Sequence, residues 1–325
     1  MAALTFSLCL ALFGAVFGQD CGRSLFYPEG RIIGGVPASA CSVPWHAQVH
    51  FLPNNADPAF NPSQDLNAVN TLNCGAVILD ELHVLISPTC MFLYGTDVSN
   101  LLSRVLIAAG DNDVSIFPET SVLGTQQEQF GTPDSIYFQD EYTIRTQAQL
   151  FAGINPSAND FRAFRDNQCG IIKLKAPLVM NNCVNKICLP TAADDPACTY
   201  KGCILTGNGL ITSTTDGSQP TRNNQTDIIR MTALPPAACA VLERMGNAQP
   251  STNSLCAKSE TGGFPCINDN GGALACFNTD TQRWFLRGAA LVDNCSAASA
   301  SGFADVSQCL PFIERTLAGL STPAV

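Results

Sequence analysis

The 325-residue chain carries 16 Cys, is 46% apolar and only 14% charged, and has a net charge of −10. That cysteine load excludes an ordinary cytosolic protein, the apolar share excludes a disordered chain and suffices for a large core, and the acidic balance argues against nucleic acid or an anionic membrane as the main partner. With 25 Gly and 20 Pro, breaks are frequent and long helices are not expected.

Residues 2–17 are almost continuously apolar and hold no charged side chain, and Val16-Phe17-Gly18 suits signal-peptidase cleavage before Gln19. This predicts a secretory signal over 1–18, although no Lys or Arg precedes the apolar run. A membrane anchor is the alternative, but the run is short against the roughly 20 residues of a span. No later stretch is long and apolar enough to cross a bilayer, so no membrane insertion is expected and the mature chain is predicted to be extracellular. Losing Cys9 with the leader leaves an odd number of cysteines.

Along the mature chain, short apolar and β-branched runs fall at 47–52, 76–86, 103–109, 170–174, 203–206, 274–277 and 284–292, separated by Gly, Pro, Asn and Asp. They predict an all-β barrel or sandwich. Leu310, Phe312, Ile313 and Leu317 at helical spacing predict a C-terminal helix over Val306–Leu317. Residues 54–70 and 212–226 read as exposed loops, and 131–165 as a polar insertion. Asn224-Gln225-Thr226 and Asn294-Cys295-Ser296 are glycosylation sequons. Gly110-Asp111-Asn112-Asp113 reads as a turn rather than a calcium loop, since the later ligands of an EF-hand are missing. No repeat and no low-complexity tract is evident, and a chain of this size fits one double-barrel domain.

Four stretches carry a resemblance. Arg31-Ile32-Ile33-Gly34-Gly35 precedes Pro44-Trp45. Cys74-Gly75-Ala76-Val77-Ile78 is followed by residues 84–90, ending Pro88-Thr89-Cys90. Gln168-Cys169-Gly170-Ile171-Ile172-Lys173-Leu174 is followed by Ile187-Cys188-Leu189-Pro190. Last comes Cys266-Ile267-Asn268-Asp269-Asn270-Gly271-Gly272. In this order, with Cys in register, they resemble the trypsin-like (chymotrypsin-fold, S1-type) serine protease family from Arg31 to about Leu317. The resemblance implies two six-stranded antiparallel β-barrels with a short C-terminal helix, a pro-segment over 19–31, and a peptidase-like domain over 32–325.

The family's chemistry needs a hydroxyl nucleophile, an imidazole base and a carboxylate that orients the base. The matching positions here hold Asn270, Thr89 and Gln168. A carboxamide is not an acyl-transfer nucleophile, a hydroxyl is no base near neutral pH, and a neutral amide does not stabilise an imidazolium. The three histidines, His46, His50 and His83, match none of these positions and read as surface or strand-packing residues. Asn268 stands where the family has the oxyanion-hole Gly, although Asn tolerates positive φ better than most residues. Phe264 stands at the base of the specificity pocket and is expected to fill it. Leu291, Val292 and Asp293 replace the Ser-Trp-Gly run that pairs with substrate. The resemblance therefore implies a pseudoprotease with no catalytic residue, no cofactor and no metal. Arg31-Ile32 still reads as an activation cleavage site, and the freed Ile32 amino group would pair with Asp269.

The resemblance also implies the disulfides Cys21–Cys188, Cys74–Cys90, Cys203–Cys276, Cys239–Cys256 and Cys266–Cys295, the first tethering the pro-segment after cleavage. Cys41, Cys169, Cys183, Cys198 and Cys309 are left without an assigned partner, and the odd thiol is either buried or joined to another chain. No CxxC occurs and His is scarce, so the cysteines do not read as a metal site.

Three functions follow as expectations. The first is a secreted, non-catalytic serine protease homologue that binds an extracellular protein, such as a protease or zymogen, as a cofactor or regulator of a proteolytic or innate-immune cascade. The relatives with such roles usually carry an N-terminal clip domain, which residues 19–31, with their single Cys, do not suggest. The second is a binding module on the same scaffold unrelated to proteolysis: lectin-like with glycans as ligand, venom, salivary or egg-coat. The third, least favoured, is a serine endopeptidase with rewired residues.

Overall fold

A computed structural model describes residues 21–24, 36–52, 72–90, 101–110, 112, 128–139, 169–190, 200–209, 225–234, 254–260, 262–266, 268–291 and 300–324. The predicted leader, the activation site Arg31–Ile32, the loop over 54–70 and both sequon asparagines, Asn224 and Asn294, lie outside them.

The chain is mostly β and forms two antiparallel sheets. The first half contributes β2 (His46–Phe51), β3 (Leu72–Ile78), β4 (His83–Ile86), β5 (Val105–Ala109), β6 (Gln129–Gly131), β7 (Pro133–Phe138) and β8 (Gly170–Leu174), in the order β6-β5-β2-β3-β4-β8-β7. It curls into a half-barrel whose two end strands, β6 and β7, are separated in the chain by Thr132 alone and pair with β5 and β8 respectively. The second half contributes β9 (Tyr200–Gly207), β10 (Asp227–Leu234), β11 (Ser254–Ser259), β12 (Ala273–Asn278), β13 (Arg283–Leu291) and β14 (Ser301–Asp305). Here β9 pairs with both β10 and β12, which closes a six-stranded barrel, and the short β1 (Val36–Pro37) adds to β10. The two sheets fit the expected two-barrel architecture, the second closing as a six-stranded barrel and the first forming a half-barrel among the described residues.

Strand β2 shows how the halves meet. Its sequence alternates His46, Gln48 and His50 with Ala47, Val49 and Phe51, the pattern of a half-exposed strand. All six residues are nevertheless buried. The apolar set packs in the first barrel with Ala76, Ile78, Ile86 and Ile107. The polar set is covered as well: His46 reaches Asn208 and Thr206 of the second barrel, and Gln48 accepts a 2.9 Å bond from Asn73. The three histidines, read from sequence as surface or packing residues, are all interior, and none is exposed by more than 8%. A second apolar cluster, with Trp45, Val77, Ile204, Leu286 and Ile313, fills the seam between the barrels, while Leu205, Met231, Leu274 and Phe303 line the second barrel.

Other expectations shift. The run 76–86 is two strands, broken where Asp80 accepts the N–H groups of Leu82 and His83 at 2.7 Å. Residues 103–104 belong to a one-turn helix, α1 (Leu101–Arg104), rather than to β5. The start of the predicted polar insertion is the largely buried strand β7, paired with β8 and opened by Pro133. Thr226, read as the end of an exposed loop, is buried at 1%. Strands β10, β11 and β14 went unmarked because Ala, Ser, Gly and charged residues dilute their β-branched content.

The expected C-terminal helix is present as α2 (Val306–Leu317). Asp305 caps it by accepting from Ser307 N at 2.9 Å, and Val306, Cys309, Ile313 and Thr316 form its buried face. Beyond it the chain returns to the first barrel, where Ala324 N donates to Ile136 O at 2.7 Å.

Candidate functional site

The loop that joins the approach from β11 to β12 is held by its own backbone. Asp269 N donates to Cys266 O, Gly272 N to Asp269 O, Gly271 N to Ala290 O and Ala290 N to Gly272 O, each at 2.9 Å. Asn268 adopts φ 80° and Gly271 φ 81°, so two left-handed residues bracket Asp269 and Asn270. Asn268, Asp269 and Asn270 are all buried, Asn270 at 1%.

The carboxylate of Asp269 points inward. It accepts from Gly209 N at 2.7 Å and from Cys266 N at 2.8 Å. Burial pushes its pKa up to about 7, and Asp227 adds to the rise, against the pull of the two backbone N–H groups. Gly207 and Gly209 leave room for this carboxylate, because a Cβ on either would collide with it. Asn208 between them bonds His46 Nε2 at 2.8 Å and donates to Thr226 Oγ1 at 3.0 Å. Full burial lowers the His46 pKa to about 4, although the bond to Asn208 pulls the other way, so this imidazole is neutral at physiological pH. Sequence reading passed over this His46–Asn208–Thr226 brace; the Gly207-Asn208-Gly209 triplet was the available signal.

From the other barrel, residues 88–90 form one helical turn that carries half-buried Thr89, and Cys90 of that turn is bridged to Cys74. Next to Cys74, Gly75 packs on the loop so closely that an added Cβ would lie 2.7 Å from Gly272 N. A Cβ on Gly271 would likewise press on Gly75 O and lie 3.1 Å from Ser87 N. The turn with Thr89 and the loop with Asn270 thus converge on one seam, fixed by glycine contacts and a disulfide.

That order and geometry match the family-level comparison: the sequence pattern of the family described as Trypsin matches residues 32–313.

The chain belongs to the trypsin family.

Within this trypsin-family frame the remaining expected positions divide. Phe264 and Leu291 are half-buried, whereas Gln168, Val292, Asp293, Arg31 and Ile32 lie outside the described residues. Cys169, which follows Gln168, is fully buried at the start of β8. The structure contains Cys21–Cys188, Cys74–Cys90 and Cys203–Cys276. It also contains two bridges among the cysteines left unassigned by sequence, Cys41–Cys183 and Cys169–Cys309. Cys256 and Cys266 are disulfide-bonded too; Cys239, Cys295 and Cys198 lie outside the described residues. Away from the seam, His83 Nδ1 lies 2.9 Å from Asp80 in a local pair at the β3–β4 turn. No cluster of potential metal ligands occurs among the described residues, and no helix there is long and apolar enough to cross a membrane.

Proposed function

We propose that this trypsin-family chain is a secreted, non-catalytic serine protease homologue that acts by binding another extracellular protein. The observation that carries the reading is the pair at the seam: a trypsin-like nucleophile loop and base turn present a carboxamide, Asn270, and a hydroxyl, Thr89. Neither abstracts a proton near neutral pH. His46, an imidazole tied to this region, is buried, held by Asn208 and shifted down to about pKa 4, on the Asp269 side of the loop. With Gln168 in place of the orienting carboxylate, all three catalytic roles lack their group.

The same reading includes a cleavage switch. A cut after Arg31 frees the Ile32 ammonium, and Asp269 is a buried carboxylate that accepts from the backbone N–H groups of Gly209 and Cys266. The pairing would ionise Asp269 and remodel the surface around the loop without enabling catalysis. The Cys21–Cys188 bridge would keep the amino-terminal piece attached. The partner on this reading is a protease or zymogen of a proteolytic or innate-immune cascade, and glycans at Asn224 and Asn294 decorate the secreted form.

Two experiments test the proposal. The mature protein, cut and uncut, is expected to resist fluorophosphonate labelling and to leave peptide substrates intact; turnover that is lost in Asn270→Ala would overturn the non-catalytic reading. Affinity capture from the native fluid is expected to recover a protease or zymogen mainly with the cut form. Equal capture of glycans or non-protease partners by both forms would make Arg31 a relic and favour a scaffold binder unrelated to proteolysis.

A further inference from the structure

We infer that the cavity between the amino-terminal segment and the β12–β13 hairpin docks an acidic, aromatic-bearing peptide segment of a protein partner. Its volume is about 430 Å³, within the roughly 300–1,000 Å³ of ligand pockets. Arg23 lines it from the amino-terminal side, and Phe277, Gln282, Arg283 and Trp284 from the hairpin. The cavity is separate from the cleft: β12 runs six residues from Ala273, beside the nucleophile loop, to the hairpin end, about 17–20 Å of strand. The inference holds whether or not the cleft is inert.

The walls are set before any ligand arrives. Cys21 is bridged to Cys188, Gly22 N donates to Lys186 O at 2.8 Å, and Trp284 N donates to Gly22 O at 2.9 Å. Gly22 is required at φ 63°, because a Cβ there would run into Trp284 O. Across the cavity the hairpin turn is held by Asn278 Oδ1, which accepts from Asp280 N and Thr281 N, and by Gln282 Nε2 donating to Thr279 O at 2.7 Å. Arg283 Nη1 donates to Cys21 O at 3.2 Å, which aligns its guanidinium along the amino-terminal segment. Rigid walls reduce the ordering cost of binding.

Charge complementarity selects the occupant. In a chain of net charge −10 with 17 basic residues, two arginines line one cavity. A guanidinium presents parallel N–H donors that fit a carboxylate in a two-pronged bond. Phe277, half-buried and backed by the buried Trp284 ring at 5.2 Å between centroids, adds the aromatic part of the wall, to which a flat side chain is the complement. Arginine beside aromatic residues is also the composition of protein–protein hot spots. Asp280 sits on the hairpin turn but not in the lining.

The test uses the full mature protein and the peptide acetyl-Glu-Glu-Tyr-Glu-amide. Only two tryptophans exist in the chain; both are buried, with ring centroids 5.8 Å apart, and Trp284, at 3% exposure, forms part of the cavity lining, so a change in tryptophan emission reports occupancy. Saturable binding is expected, about tenfold weaker for the Gln-Gln-Tyr-Gln and Glu-Glu-Ala-Glu analogues. Arg23→Gln is expected to weaken binding about fivefold, and Arg283→Gln to weaken it at least as much. No binding at millimolar peptide, equal binding of all three peptides, or affinity unchanged in both variants would overturn the inference. Binding seen only in a variant lacking residues 25–31 would also overturn it, by making that segment of the chain itself the occupant.

Discussion

Asp269 and His46 are buried on the same side of the loop over residues 268–272 and pull stability in opposite directions with pH. The Asp269 pKa is raised to about 7, so the folded state of the uncut chain holds this proton more tightly than the unfolded state does. Its contribution is complete below the ordinary carboxylate range and is lost as pH rises from about 4 to about 7. The His46 pKa is lowered to about 4, so its contribution is present above pH 6.5 and is lost as pH falls toward 4. The two trends offset each other in the unmodified protein. In His46→Gln, stability by chemical denaturation is expected to fall by roughly 2–4 kcal/mol as pH rises through that window. In Asp269→Asn, it is expected to rise across the same window. Flat profiles in both variants would mean that neither group titrates while buried. The residue scale also separates what sequence could deliver from what it could not. Asn270 and Thr89 could be given a register from sequence because disulfide cysteines and glycines flank them, and both fall among the described residues at the seam, whereas Gln168 lies outside the described residues. The His46–Asn208 brace was not, because it joins residues separated by 162 positions through a polar strand face that reads as solvent-exposed. On the proposed function, Asn270→Ser alone is expected to leave the protein without peptidase activity, since Thr89 and Gln168 supply neither base nor orienting carboxylate. A chromogenic peptide assay on the cut variant checks this, and turnover would show that another group serves as base.

At the scale of elements, the site depends on how closely β3 approaches the loop over residues 268–272. Gly75 faces Gly272 backbone on one side, and its carbonyl faces Gly271 on the other. A methyl group at Gly75 would lie 2.7 Å from Gly272 N and 2.8 Å from Gly272 Cα, both backbone atoms that cannot swing aside. Gly75→Ala is therefore expected to cost about 1–3 kcal/mol and to part the Thr89 turn from the Asn270 loop. Gly302 in β14 provides the comparison, since a Cβ there meets nothing within 4 Å and its φ is not in the left-handed region. Gly302→Ala should change stability far less in the same denaturant titration. Equal losses would show that the glycine seam does not set the spacing of the two loops. Elements were legible where apolar runs were dense, as in β5, β8 and β13, and in the helix α2. They were hidden where the barrel interior is lined by small residues. Ala257 of β11 and Ala304 of β14, both buried, lie in paired strands of the closed barrel, yet neither raises the β-propensity of its segment.

For the whole molecule, the question is what holds the two barrels in one register around the seam. The linkage is covalent as well as apolar. Cys169–Cys309 joins the start of β8 in the first half to α2 after the second barrel, and both cysteines are buried. The tail beyond α2 then adds a bond from Ala324 N to Ile136 O. The family resemblance left Cys169 and Cys309 unassigned, and it is the packing of α2 against the seam that brings the two sulfurs together. Its value is mainly entropic in the unfolded chain, and the Cys203–Cys276 bridge already shortcuts 73 of the intervening residues. Because loop entropy grows only with the logarithm of length, that shortcut removes little, and roughly 3–5 kcal/mol remains. The double variant Cys169→Ala/Cys309→Ala is expected to lose about that much in urea titration while keeping its far-ultraviolet circular dichroism, since neither barrel depends on the bridge for its own strand pairing. If the helix α2 is what the bridge holds in place, hydrogen exchange should quicken first in residues 306–317 and next at Ile136, where the tail rejoins the first barrel. Loss confined instead to the strands of one barrel would show that the bridge supports that barrel's interior and that the seam is held by apolar packing alone.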